Sequence, residues 1–380
     1  MKKLCLIIMI FFSWFIIVKA EEDLTPNSKS SILIESSTGK VIFDKNSEEK
    51  LPPASMTKVM SMLIIMEAID NNKISLSDEV TISPNAASMG GSQVFLQAND
   101  KYKLEELLKG VAIASGNDAV VAIAEHLAGS VDKFVNLMNK KAKELNLSNT
   151  NFINPHGLDD DNHYTTAKDM ATIARELVKY DKILDYTSIY EYYMPKKDGS
   201  KSWLVNTNKL VRFYEGVDGL KTGFTSKAKY CLTATARRGN MRLISVVMGA
   251  ETSDLRSSDT VNLLNYGFNS YKLKTVYNRN KPITSIYIGN AQKESYKAYL
   301  KDDATILEDK TNNAKNNYTY EISLKKVKAP LKKNSVVGKA TVLENNKEVK
   351  DIDIIVKEDI EESNIFNYIK KNIKYITTGL

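Results

Sequence analysis

From residue 56 the apolar side chains Met56, Val59, Met60, Leu63, Met66 and Ile69 recur at three- and four-residue steps, the helical period. They crowd several faces at once, so this helix is predicted to be buried. Pro52 and Pro53 stand before it and set where it starts. A second apolar helical run stops at Ser115-Gly116-Asn117 and a third covers residues 119–127. The small polar residues between them are expected to form a tight connection inside the core. Strand-like runs flank this helical region, which extends from residue 55 to about 184. Residues 31–35 and 41–44, joined by Ser37-Thr38-Gly39, read as a strand pair. Residues 230–236 and 241–249 read as a hairpin closing at Arg237-Arg238-Gly239-Asn240. The strands after Asp218 are expected to complete a sheet with those at 31–44. The reading is an α/β (α+β) domain, an antiparallel sheet flanked by helices.

Near Tyr271 the pattern changes to short alternating runs, such as 319–324 and 349–356, separated by turns such as Asn345-Asn346. That is the pattern of a small β-rich domain over 271–358. From 359 to 380 it changes again. Ile365, Phe366, Ile369, Ile373 and Ile376 fall on one helical face with Lys370, Lys371 and Lys374 alongside. A basic amphipathic helix suits a membrane surface; packing on the β-rich domain is the alternative. At the other end, Lys2 and Lys3, an apolar run over 4–18 and the small residue Ala20 read as a signal peptide over residues 1–20. The first domain then spans 21–270, and the chain is expected to be exported to the outer face of the cytoplasmic membrane or the cell wall.

Charge and composition narrow the function. The formal charge is +7, and Lys2, Lys3 and Lys19 supply three of it with no acid before Glu21; removing them leaves +4. So mild a balance, in an exported chain without a recognisable module, gives no reason to expect a nucleic-acid partner. The three histidines, His126, His156 and His163, are too few and too poorly spaced with acids and cysteines for a zinc site, so no metal or cofactor is expected. Cys5 goes with the signal peptide, and Cys231 is read as a core residue. A Ser–His–Asp triad could be built only around His156, which is read instead as a hydrogen-bonded positioner in a cleft-lining loop.

Three short motifs carry the candidate chemistry: Ser55-Met56-Thr57-Lys58, then Ser115-Gly116-Asn117, then Lys221-Thr222-Gly223. Ser-x-x-Lys occurs six times, at Ser37, Ser47, Ser55, Ser130, Ser226 and Ser323, so the pattern alone decides nothing. Only the copy at Ser55 opens a buried helix. There, free N–H groups and the helix dipole favour developing negative charge, and Lys58 projects from the same side one turn on. Burial lowers a lysine's pKa, and a neutral amine can take the serine proton. On a strand beside the hairpin, the Lys221 ammonium and Thr222 hydroxyl can hold a substrate carboxylate, while Gly223 leaves room for a substrate backbone.

The order of the three motifs is that of penicillin-binding proteins and class A β-lactamases. Together with Pro52-Pro53-Ala54-Ser55, Asn154-Pro155-His156-Gly157-Leu158, His163-Tyr164-Thr165-Thr166-Ala167 and Val217 through Thr225, they resemble the serine-type D-alanyl-D-alanine carboxypeptidases, the low-molecular-mass penicillin-binding proteins. The likeness implies a serine β-lactamase/DD-peptidase-like fold and hydrolysis of the terminal D-alanyl-D-alanine bond of peptidoglycan stem peptides, with β-lactam antibiotics as inhibitors. It implies attack by Ser55 after Lys58 removes its proton, an oxyanion held by the N–H groups of Ser55 and Phe224, and a proton relay through Ser115 to the leaving D-alanine. Asn117 is expected to bind the substrate amide, and Lys221, Thr222 and Arg256 the terminal carboxylate. Two other functions remain, a serine β-lactamase and a non-catalytic wall-binding scaffold. Against the first, the middle motif carries Gly116 where class A enzymes have Asp, and no segment clearly supplies their deacylating glutamate. Against the second stands the intact set of Ser55, Lys58, Ser115 and Lys221.

Overall fold

The computed structural model describes residues 23–364 except 294 and 312–316. The expected signal peptide and the residues from 365 onward therefore lie outside the described residues.

The first domain is built on a five-stranded antiparallel sheet. Its order is Val41–Lys45, Ser30–Glu35, Met241–Ala250, Lys229–Arg238, Val217–Thr225, as the strand–helices–strand reading requires. The central strands read as unbroken apolar runs because both faces are covered. Along Met241–Ala250, Leu243 and Val247 enter one core while Ile244, Val246 and Met248 enter the other. The larger core holds the helix Lys58–Asp70, buried without a break from Lys58 to Met66. A helix apolar on every side has to be central. Around it pack Leu104–Ala114, Asn117–Ala128, Val131–Glu144 and Ala167–Leu177.

The opposite face is covered by the helix Ser253–Ser270, which the hydrophobic pattern does not announce. Its first half is polar, and Leu263, Leu264, Gly267 and Phe268 are the apolar and small residues that it buries. Gly267 is required there: a Cβ would come within 2.6 Å of Leu243 and 2.9 Å of Leu33. The helical region is also less uniform than its sequence suggests. A two-stranded piece, Glu79–Thr81 with Lys101–Lys103, interrupts it, and the hairpin Glu191–Pro195 with Lys201–Val205 follows it.

The composition shift at Tyr271 coincides with the strand Tyr271–Tyr277, which pairs with Ala304–Asp309. Beyond it a second five-stranded sheet runs Pro282–Tyr287, Ser295–Leu300, Lys347–Val356, Val336–Glu344, Tyr318–Leu324 around its own core. Asn345 and Asn346 both take positive φ, 50° and 65°, at the turn of its long hairpin, a conformation asparagine tolerates. One boundary needs correction. Residues 359–364 do not begin a helix: Ile360 bridges Leu331 and Glu362 bridges Ala291, so this stretch runs extended along the β-rich domain. Ile360 is buried in that core, which is what draws the segment onto it.

Candidate active site

Pro53 leads into a single 3-10 turn, Ala54–Thr57, and only then does the α-helix Lys58–Asp70 begin. Ser55 therefore sits one tight turn ahead of the helix, partly buried, while Lys58 is completely buried. Lys58 Nζ lies 3.1 Å from Ser55 Oγ and donates to Asn117 Oδ1 at 2.6 Å and to the His156 carbonyl at 2.8 Å. Burial, reinforced by the Lys221 charge, pushes its pKa well below the usual lysine value, with Asp118 opposing weakly.

The second motif forms the predicted connection. Leu104–Ala114 ends at Ser115 in the left-handed region (φ 65°), and Asn117 opens the next helix. The Ser115 hydroxyl is buried and has no hydrogen-bond partner among the described residues. Asn117 is held at three points: its Oδ1 by Lys58, its Nδ2 on the Gly90 carbonyl at 2.7 Å, and its N–H on the Ser92 carbonyl at 2.7 Å. The second Nδ2 hydrogen is left for a ligand. Asp118 accepts from the N–H groups of Val94 and Leu96, each at 3.1 Å, and so ties the loop after Gly90 to this corner.

The third motif lies on Val217–Thr225, with Lys221 opposite Thr233 and Gly223 opposite Cys231. Although the strand is at the sheet edge, Lys221 is only 1% exposed. Its Nζ reaches the Thr222 carbonyl at 3.2 Å and Thr207 Oγ1 at 3.5 Å, and the Thr222 hydroxyl donates to Thr207 Oγ1 at 2.7 Å. Burial and the Arg256 charge pull the Lys221 pKa down to about 7. Arg256 is itself buried, bonded to Ser257 Oγ, with Nε unpartnered among the described residues. Gly223 has a different neighbour from the expected one. A Cβ there would meet the chain's own Pro53 carbonyl at 2.7 Å and Met56 N at 3.2 Å, so the missing side chain lets this strand close against the Ser55 turn. Phe224 is 53% exposed and rests on Tyr230, ring centroids 4.3 Å apart.

His156 takes part through its main chain. Asn154 Oδ1 accepts from the N–H groups of His156 and Gly157, and Ser61 donates to the Pro155 carbonyl, which together aim the His156 carbonyl at Lys58. Its ring accepts from Leu158 N–H, and burial lowers its pKa to about 3, so the ring is neutral. Gly157 (φ 92°) has no room for a side chain, since a Cβ would overlap the Ala54 carbonyl. Cys231 is buried among apolar residues, its pKa raised to about 11 by burial, as a core thiol should be. Three participants escaped the sequence reading: Thr207, the His156 carbonyl and Asp118. The signal for Thr207 is the polar run Asn206-Thr207-Asn208 straight after a strand. Asn206 and Asn208 are both buried, and Asn208 donates to the Gly219 carbonyl two residues before Lys221.

The site thus joins a serine, a deprotonation-prone lysine and two further buried basic side chains, Lys221 and Arg256, from distant parts of the chain. The model for the family described as D-alanyl-D-alanine carboxypeptidase matches residues 17–252. This chain belongs to that family. A second model, for the C-terminal domain of penicillin-binding protein 5, matches residues 271–362, which agrees with the extended course of residues 359–362. The D-alanyl-D-alanine carboxypeptidase DacF of Bacillus subtilis is 44% identical over 356 residues, 93% of this chain and 91% of that one. Penicillin-binding protein 5 of Haemophilus influenzae superimposes with a TM-score of 0.71 at 33% identity, over 88% of this chain and 98% of its own. Penicillin-binding protein D2 of Listeria monocytogenes, in its ampicillin-bound form, matches with a TM-score of 0.58 at 30% identity, over 64% of this chain and 98% of its own. As a family member the chain is a serine-type D-alanyl-D-alanine carboxypeptidase of peptidoglycan metabolism and a penicillin-binding protein. Neither the β-lactamase nor the scaffold reading is favoured by these relatives.

Proposed function

We propose that Ser55 is the residue acylated and that Lys58 is its base. The observation that carries this is the partner set around Lys58 Nζ. Asn117 Oδ1 and the His156 carbonyl can only accept, so they take the two hydrogens of a neutral amine. Its lone pair is left for the Ser55 hydroxyl. Burial favours the neutral amine, and the nearby Lys221 charge adds to that preference.

The reaction then runs as two acyl transfers. Ser55 Oγ attacks the carbonyl between the two D-alanines as its proton passes to Lys58. The oxyanion is received by the N–H groups of Ser55 and Phe224. Ser115, whose hydroxyl has no hydrogen-bond partner among the described residues, takes the proton back from Lys58 as it gives its own to the departing D-alanine nitrogen; the C–N bond breaks and Lys58 is neutral again. Water next attacks the ester; Lys58 accepts its proton, and Ser55 recovers its own as the acid leaves. Asn117 offers its remaining N–H to the substrate amide. Lys221 and Arg256 lack ion-pair partners among the described residues, and with Thr222 they are the receptor for the terminal carboxylate. The incoming anion raises the Lys221 pKa and restores its charge. Incubation with a peptide ending in D-Ala-D-Ala should release one D-alanine per peptide, and penicillin should leave a slowly hydrolysed ester on Ser55, located by peptide mass mapping. Rapid turnover of penicillin with no D-alanine release would overturn this assignment in favour of a β-lactamase.

The likeness to cell-wall-acting penicillin-binding proteins supports action outside the cytoplasm, which a signal peptide over residues 1–20 would provide. We further propose a catalytic domain up to residue 270, a β-rich domain extended to residue 364, and a membrane-surface segment confined to 365–380. The charge and apolar face of that last segment support peripheral binding to anionic lipid. Among the described residues no helix is long and apolar enough to cross a membrane. Deleting residues 365–380 should abolish co-sedimentation with anionic liposomes at low salt while D-alanine release from soluble peptides continues. Equal sedimentation of both chains would rule the anchor out.

A further inference from the structure

Ala54, the residue before the nucleophile, holds φ at 47°, a left-handed value that a residue with a side chain rarely adopts. Its carbonyl is gripped by a short chain of hydrogen bonds. The Thr57 hydroxyl donates to Ala54 O at 2.8 Å, and Thr57 Oγ1 lies 2.8 Å from His163 Nε2. Ile153 N–H donates to His163 Nδ1 at 3.1 Å, so Nδ1 is bare and Nε2 carries the hydrogen given to Thr57. Every bond in the series therefore points the same way, ending on the Ala54 oxygen. Thr57 and His163 are both buried, the histidine ring stands edge-on to Phe152 at 5.7 Å, and burial lowers its pKa to about 4, so it is neutral at physiological pH. Two residues on, Thr165 exchanges both main-chain bonds with Leu51, at 2.8 and 3.0 Å, just ahead of the two prolines.

The Ala54 carbonyl and the Ser55 N–H belong to one planar peptide unit. Whatever fixes the oxygen fixes the direction of that N–H, and a donor on the oxygen polarises the N–H at the other end. We infer that Thr57 and His163 are positioning residues for the reaction: they orient and polarise the Ala54–Ser55 peptide so that its N–H serves as an oxyanion donor. The inference rests on Ser55 being the acylated residue. It explains a positive φ at a non-glycine residue, which persists only when surrounding contacts enforce it.

The test separates binding from chemistry in acylation by a fluorescent penicillin. Loss of an oxyanion donor costs roughly 10²–10³ in rate, and a misdirected one should cost less, about 10- to 100-fold. Thr57→Val should lower the acylation rate constant by that factor with pre-acylation binding unchanged, and Thr57→Ser, which restores only the hydroxyl, should recover the wild-type rate. A valine variant that acylates at the wild-type rate, a serine variant as slow as valine, or a loss confined to binding would each overturn the inference. If Thr57→Val does not fold, His163→Phe decides. It keeps the ring and its packing on Phe152 while removing the donor, and it must slow acylation by a smaller factor at unchanged binding; a folded His163→Phe with the wild-type rate overturns the inference. A wild-type chain that takes no label would refute the acyl-enzyme reading itself, before any variant is made.

Discussion

Lys58→Ala should slow acylation of Ser55 by at least the roughly 10²–10⁴-fold that a positioned base supplies. The protein should nevertheless fold, because the change removes a buried amine that costs desolvation and leaves two acceptors, Asn117 Oδ1 and the His156 carbonyl, to be wetted or repacked. Stopped-flow labelling with a fluorescent penicillin across the acid and neutral range provides the check. In the wild type the rate should rise with pH as Lys58 loses its proton, and the midpoint should lie far below the ordinary lysine range, given its burial and the Lys221 charge. That limb should vanish in Lys58→Ala. Ser55→Ala is the reference for complete loss, taking no label while keeping its melting temperature. A Lys58→Ala protein that acylates within about tenfold of wild type would transfer the base role elsewhere.

Lys221→Met should lose function and gain stability together. The lysine is buried in the field of Arg256 with no ion-pair partner of its own among the described residues, and its pKa falls from 10.5 to about 7. The sign follows from proton counts. Between pH 7 and 10.5 the unfolded chain holds a proton on Lys221 that the folded chain has shed, so wild-type stability rises with pH across that window. Below about pH 7 the folding penalty is fully present; above 10.5 it is gone. At about 1.4 kcal/mol for each pH unit separating the two pKa values, the penalty amounts to a few kcal/mol. Methionine carries none of it. The variant should therefore exceed wild type most at pH 6 to 7, with the gain shrinking toward pH 10, measured by urea unfolding. Its KM for peptides ending in a free carboxylate should rise much more than for analogues with that carboxylate amidated. A gain in stability that does not change with pH would show that packing, not charge, is responsible. Equal losses on both substrates would remove Lys221 from carboxylate binding.

Much of the site was legible because its signals are local. Ser55 and Lys58 are three residues apart, and the prolines and the apolar period that place them lie within a few turns of chain. The same holds for the break at Ser115-Gly116-Asn117 and for Lys221-Thr222-Gly223 beside a hairpin with an obvious turn. Where local pattern failed, a long-range contact was the cause. The helix Ser253–Ser270 buries one side only, against the second face of the sheet, and its polar half hides the apolar stripe. Residues 359–364 were misread because a lone buried isoleucine, Ile360, says nothing about pairing with Leu331 in a distant loop.

The amino-acid sequence by itself determined the class of chemistry and the order of elements: a serine and lysine at a buried helix start, two small polar motifs, and strands on either side of the helices. Those follow from periodicity, turn residues and spacing, which act over a few residues and need no knowledge of the fold. Only the tertiary structure decided what state each group is in. The acceptors that hold Lys58 Nζ come from 59 and 98 residues away, and Thr57 meets His163 across 106. Gly223 faces Pro53, and Lys221 shares its buried pocket with Thr207 and lies within the field of Arg256. A pKa and a carbonyl's direction are properties of desolvation and of neighbours brought in by folding, so no local pattern can encode them.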